Sequence, residues 1–288
     1  MDPEQTPPGV PRIEHFSPKE IAHAVDTQGV SKANASVLTT VALGVLGGAF
    51  VGLGGMFTVT VLGHPDGDSA GTTVLAGFAF SLGFVISIVA GADLFTSNNL
   101  VAMSWVSRRT PLTRLLRNWA VVYLSNLGGA LSVAVIAYAS DWWQAQEASV
   151  GGAALETAAD KLSSSFEAAF LSALLANALV CLAAWMAIGG RSTTDKTIVT
   201  ILPVTAMAAM GLQHIVGLMF FAPLGLLLSD SAAAMAASGL APDELEAITI
   251  PRAFATMIPV TLGNIVGGGV LVGLVYWFIY IRPQHRWS

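Results

Sequence analysis

Charge is scarce in this chain. Only 11% of its 288 residues are Asp, Glu, Lys or Arg, against about 25% in soluble domains. Hydrophobic residues make up 54%, and the mean hydropathy is +0.67. So few charges cannot cover a water-facing surface, which excludes an ordinary soluble domain and indicates an integral membrane protein. Positive charge is scarcer still. A net charge of -5 argues against a nucleic-acid partner, which would need a basic patch. The single cysteine, Cys181, lies in an apolar run and has no intrachain disulfide partner. Enzyme constellations are missing as well: there is no His/Cys ligand spacing, no phosphate loop opening a soluble helix, and no nucleophile beside a base. Neither catalysis nor a cofactor is expected. The N-terminal segment lacks the apolar core of a cleavable signal peptide and is expected to be retained.

What the chain has is long apolar runs. A crossing needs roughly 20 apolar residues. Six are read, at about residues 38–62, 71–107, 112–140, 164–189, 197–228 and 254–281. The second and fifth are too long for one straight span, and each is interrupted by polar residues, near 92–97 and 212–216. All 13 basic residues except Lys161 and Arg252 fall on one face of this arrangement. The positive-inside rule then puts both termini in the cytoplasm, which six spans allow. The opposite loops are acidic, and a solvated face accounts for that.

The two interruptions carry the functional signal. Gly211-Leu212-Gln213-His214-Ile215-Val216-Gly217 places an imidazole in the middle of an apolar run, and Gly91-Ala92-Asp93-Leu94-Phe95-Thr96-Ser97-Asn98 breaks the earlier one. An ionisable group at bilayer depth is costly unless it faces a pore or the protein interior. Asp93 is expected to cap the resuming helix or to be held by backbone amides, since an unpaired carboxylate would repel an anion. Spans one to three and four to six look like weak copies: an intact span, a broken one, then Asn126-Leu127-Gly128-Gly129 in one and Asn264-Ile265-Val266-Gly267-Gly268 in the other. Three spans per copy require the second copy to enter inverted, with the path where the breaks meet. The glycines of spans one and six serve close packing. Trp105, Trp119, Trp142, Trp143 and Trp277 read as interfacial anchors.

Five motifs in order resemble the formate/nitrite transporter family, and within it most nearly its formate channels. They are Gly91-Ala-Asp-Leu-Phe-Thr-Ser97, Asn118-Trp-Ala-Val-Val-Tyr123, Asn177-Ala-Leu-Val-Cys-Leu182, Gly211-Leu-Gln-His214 and Pro259-Val-Thr-Leu-Gly-Asn-Ile265. The resemblance extends from about residue 18 to residue 282. It implies an all-α integral membrane protein of the cytoplasmic (inner) membrane. Six transmembrane helices form two inverted three-helix repeats in an aquaporin-like protomer, with helices 2 and 5 broken. It also implies a homopentamer whose protomers each pass a small monovalent anion: formate first, with nitrite or hydrosulfide as alternatives.

Matching positions make His214 the pore histidine, Thr96 its hydroxyl partner, and Leu94, Phe80 and Phe84 constriction residues. Asn177 and Asn264 look like polar wall residues. Lys161 looks like a cation at the outer vestibule, although a snorkelling lysine fits that position as well. The expected division is a cytoplasmic segment at 1–36 with a short amphipathic helix near 18–28, a channel domain at 37–282, and a cytoplasmic tail at 283–288.

Three positions depart from the family pattern. Gln213 stands where a glutamate is common, Gly217-Leu218 replaces Ala-Asn, and Met207 replaces an aromatic constriction residue. The physical reason for a pore histidine is desolvation: an anion crossing an apolar constriction bare is costly. An imidazole, unperturbed pKa near 6.5, can pair with the anion or protonate it. Two rival readings remain open. A water or glycerol pore lacks its paired Asn-Pro-Ala loops here, and a non-conducting relative is consistent with Gln213 and Leu218.

Overall fold

A serine or threonine stands immediately before most of the long helices, and each accepts a backbone N–H of the first turn. In the computed structural model, which describes residues 16–64 and 69–282, Ser17 caps α1 (Pro18–Asn34), Ser36 caps α2 (Val37–Leu62) and Ser69 caps α3 (Ala70–Ala90). Ser165 caps α7 (Phe166–Gly189), Ser192 caps α8 (Thr193–Ala209) and Thr249 caps α12 (Ile250–Asn264). The other helices are α4 (Ala102–Val106), α5 (Leu112–Ala139), α6 (Ser149–Ser163), α9 (Ile215–Leu228), α10 (Ala232–Ser238), α11 (Pro242–Glu246) and α13 (Val275–Tyr280). Among the described residues there is no strand.

Five stretches are long and apolar enough to cross a membrane: 37–62, 70–90, 112–139, 166–189 and 250–280. The first, third and fourth fall within two residues of expected spans, the second covers only the first part of the span expected at 71–107, and the last begins four residues earlier than expected. Its middle, Ile265–Leu274, winds as a π-helix, which no apolar pattern announces. The second expected span is α3, then irregular backbone, then 3₁₀ turns at Ser97–Val101 leading into α4. The fifth is α8 and α9, separated by residues 210–214. Beyond α9, α10 turns away by 116°.

Packing is built on the expected glycines. α2 lies along α5 and α3, α3 along α8, and α7 along α12. A Cβ on Gly48 would collide with the Asn126 carbonyl of α5, and one on Gly267 with the Leu174 carbonyl of α7. Backbones this close leave room for no side chain.

Two elements differ from expectation. Residues 149–163, read as outer loop, form α6, which buries Leu155, Ala158 and Leu162 against α9 and α10. The helix near 18–28 extends to Asn34. It is tied to the rest by a buried Asp26, which pairs with Arg109 at 2.5 Å. Arg117 adds to this by donating to the Ala33 and Ala35 carbonyls. Trp119 and Trp143 are not simple interfacial anchors, because their ring N–H groups donate to the Asn98 and Tyr138 carbonyls. The tail at 283–288 lies outside the described residues.

Candidate functional site

Two glycines end the helices that lead to the site. Gly91 closes α3 at φ +88° and Gly211 follows α8 at φ +69°. Both occupy the left-handed region, which a glycine enters without a Cβ penalty and which stops a helix. The chain then runs irregularly to Thr96 in one case and to His214 in the other. The two segments meet where His214 Nε2 lies 3.0 Å from Thr96 Oγ1.

His214 is also the N-cap of α9. Its Nδ1 accepts the Gly217 N–H at 3.2 Å, so in the neutral ring the proton resides on Nε2, facing Thr96. The imidazole sits edge-on to Phe84, with centroids 5.0 Å apart. Phe84 adjoins Phe80 at 5.6 Å, and Phe80 stacks on Phe221 at 6.0 Å. Phe80 also packs over the bare Cα of Gly217, where a Cβ would stand 3.1 Å from the ring.

Two cavities approach this point. The first, about 200 Å³, is lined by Phe80, Asp160, Lys161, Met207, His214, Leu218 and Phe221, together with Thr58, Thr73 and Thr157. The second, about 300 Å³, is lined by Lys32, Ser87, Asp93, Ser97 and Lys196. Along α3, Phe80 borders the first and Ser87 the second, leaving about 10 Å of helix between them. Phe84 occupies that interval. It is buried, as are Leu94 and Thr96, and these three line neither cavity. An apolar septum with a hydroxyl–imidazole pair therefore separates a largely apolar first cavity from a more polar second one.

Residues 19–278 match the sequence profile described as Formate/nitrite transporter. The chain belongs to the formate/nitrite transporter family. It is 37% identical to the formate channel FocA of Escherichia coli K12, over 93% of this chain and 95% of that protein. It is 31% identical to the formate channel BtFdhC of Bacillus thuringiensis, over 93% and 96%. A solved structure, a pentameric formate channel with formate bound, superposes with a TM-score of 0.76 at 34% identity, covering 85% of this chain and 98% of that one. These relatives are channels rather than enzymes. Membership of the family makes the chain an integral membrane protein.

Within this family member's own geometry, the candidate residues divide into groups. His214, Thr96, Phe84 and Phe80 form one connected cluster, and Met207 borders the first cavity beside them. Leu94 is buried and follows Asp93, which lines the second cavity. Asn177 and Asn264 are buried but line neither cavity. Asn177 Nδ2 donates to the Thr96 carbonyl, to Asn99 Oδ1 and to the Asn264 carbonyl. The amide of Asn264 reaches only backbone groups.

Gln213 points away from the imidazole. Its Nε2 donates to Ser164 Oγ at 3.3 Å and to the Lys161 carbonyl at 3.0 Å, the second a bond that an ionised carboxylate could not make. Lys161 lies on α6 and donates to the Gly211 carbonyl at 2.7 Å.

Asp93 departs from the expected cap or amide-held carboxylate. It is ion-paired with Lys32 of α1 at 2.8 Å, and Lys32 also donates to Asn98 Oδ1 at 2.6 Å. A carboxylate lining the second cavity is thus neutralised by a partner from a distant helix. Lys32 and Lys196 are site residues that the sequence pattern did not single out. One signal was present: Lys32 stands just before the first span, as Lys161 stands just before the fourth. Among the described residues, no group of three or more His, Cys, Asp or Glu could hold a metal ion.

Proposed function

We propose that this protein is a homopentameric channel in the cytoplasmic membrane that passes a small monovalent anion, formate first, through a pore in each protomer. The observation that carries the reading is the His214–Thr96 pair. It sits in an apolar septum between two chambers, each bordered by a lysine. Formate is the anion favoured by the relatives named above, and nitrite or hydrosulfide are the alternatives.

The six spans form two inverted halves, with the second and fifth spans broken at Gly91 and Gly211. Support comes from the repeated local order: a lysine before the first span of each half, a left-handed glycine at each break, and an asparagine in each third span. Both termini are cytoplasmic, so the Lys161 chamber faces outward and the Lys32 chamber inward. Residues 37–282 make up the channel domain. Segments 1–36 and 283–288 lie on the cytoplasmic side.

The septum works by controlled desolvation. Apolar rings exclude hydrated ions, and an anion shedding water needs donors in return. The Thr96 hydroxyl supplies one, and His214 Nε2–H, which donates to Thr96 Oγ1 at rest, supplies a second when it turns to the anion. Because Nδ1 already holds the Gly217 N–H, a second ring proton has to displace that bond. The geometry therefore supports pairing through Nε2 first; transfer of the Nε2 proton to the anion follows only once Nδ1 has released Gly217 and taken a proton from hydronium in the chamber, so that the ring ends neutral. Phe80, Phe84 and Leu94 form the constrictions, and Met207 borders the first chamber. Lys161 borders the outer chamber, held by the Gly211 carbonyl and ion-paired at 3.2 Å with Asp160, which lines the same chamber.

Flux in proteoliposomes tests this reading, comparing formate, nitrite, hydrosulfide and glycerol. Formate flux is expected. Glycerol flux alone would contradict the anion reading, and silence for every solute would make this a non-conducting relative.

A further inference from the structure

Asn126, in the middle of α5, joins two other elements through its amide. Its Nδ2 donates to the Gly44 carbonyl of α2 at 2.7 Å and to the Asp93 carbonyl at 2.9 Å. Its Oδ1 accepts the Phe95 N–H at 2.8 Å. Asn264, at the end of α12, repeats the pattern. Its Nδ2 donates to the Ala173 carbonyl of α7 at 2.7 Å and to the Gln213 carbonyl at 3.3 Å. Its Oδ1 accepts the Ile215 N–H at 2.9 Å. Each amide therefore brackets one residue, taking the carbonyl before it and the N–H after it. The bracketed residues are Leu94 and His214.

An amide is the side chain suited to this task. It carries two protons at one end and an acceptor at the other, in a rigid plane. Irregular backbone at membrane depth must find partners inside the protein, because water is absent. That need accounts for the bonding of these segments to something. It does not account for each asparagine enclosing a single buried residue, Leu94 in one segment and His214 in the other.

We propose that Asn126 and Asn264 are paired positioning residues of the pore, which fix Leu94 and His214 separately. The inference rests on the channel reading above. It also gives Asn264 a role other than that of a polar wall residue. The two brackets differ in what they hold. At His214 the bracket adds to the Gly217 cap and the Thr96 contact, and Asn177 links the Asn264 carbonyl to the Thr96 carbonyl. Loosening Asn264 disturbs a titratable donor. Loosening Asn126 disturbs an aliphatic constriction.

The two variants are predicted to dissociate. Asn264→Ser and Asn126→Ser, each too short to span its bracket, are reconstituted, and flux of formate and acetate is followed against pH. Losing two buried hydrogen bonds corresponds to about a tenfold effect. In N264S that effect is expected on formate flux, with a displaced pH profile and an unchanged formate-to-acetate ratio. In N126S the pH profile is expected to stay as in the wild type, while acetate gains about tenfold relative to formate.

Equal loss for both anions at every pH in both variants, or wild-type behaviour in both, would overturn the proposal. A wild-type protein that passes no formate contradicts the channel reading instead. The ¹⁵N shifts of His214 then decide the bracket without any flux: a mixed tautomer in N264S but not in N126S supports it, and a single unchanged tautomer in both overturns it. N264D, which keeps the shape and the acceptor, serves the same spectrum if the serine variant does not assemble.

Discussion

His214 Nε2 and Thr96 Oγ1 lie 3.0 Å apart, although 118 residues separate them in the chain. The contact joins the two irregular segments inside the membrane, and it leaves the ring's Nε2–H aimed at a hydroxyl. Thr96→Val keeps the shape and deletes the partner. A buried donor left unpaired costs about 1–3 kcal/mol, so T96V is expected to lower thermal stability by that amount. Formate flux should fall about tenfold with it. Unchanged flux in proteoliposomes would remove Thr96 from the mechanism.

Lys32 and Asp93 form an ion pair whose lysine is 24% exposed and whose aspartate is 9% exposed. Full burial would make breaking such a pair worth about 3–5 kcal/mol, and the partial exposure of Lys32 reduces that to about 1–2 kcal/mol. K32M and D93N should each destabilise the purified oligomer. Because each removes the other's partner, the double variant should lose less than the sum. Additive melting temperatures would mean that the pair contributes no coupling.

The glycine contacts give a prediction with an internal control. A Cβ on Gly48 meets the Asn126 backbone, whereas one on Gly128 of the same helix pair meets nothing within 4 Å. Gly48→Ala should destabilise by about 1–3 kcal/mol through overpacking. Gly128→Ala should be neutral or stabilising, because alanine is the better helix former. Equal melting temperatures for the two variants would contradict the close helix approach.

Ser17 and Glu20 form a capping box at the start of α1. The Ser17 backbone N–H, and then its hydroxyl, hold the exposed Glu20 carboxyl below its ordinary value of 4.5. A carboxyl lowered on folding stabilises above its unfolded value and loses that effect as pH falls through the folded one. A spin label on the exposed Gln28→Cys, with the fully buried Cys181 left unlabelled, should therefore loosen on acidification. With Glu20→Gln the same label should show no such pH response. Identical titrations in both would assign the loosening to other groups.

The spans were legible because an apolar run of membrane length seldom occurs outside a membrane. The breaks were legible because glycine followed by polar residues interrupts such runs. His214 and Thr96 could be named from their motifs, and the structure sets them against each other. The α6 helix was not legible. Its buried face mixes Val150, Leu155 and Leu162 with small residues, and at 15 residues carrying Glu156, Asp160 and Lys161 it is too short and too charged to read as a span. The Lys32–Asp93 pair was hidden because side-chain pairing between distant helices leaves no periodic trace. The role of Gln213 was hidden for the same reason, since its partners, Lys161 and Ser164, belong to another helix junction.

The most direct test is formate flux into proteoliposomes for the wild type and His214→Phe, at pH values on either side of about 6.5, the unperturbed imidazole value. The wild type should carry formate with a pH-dependent rate, and H214F should lose at least about tenfold of that flux together with its pH dependence. Full flux in H214F, with the wild-type response to pH, would contradict the assignment of His214 as the donor in the septum.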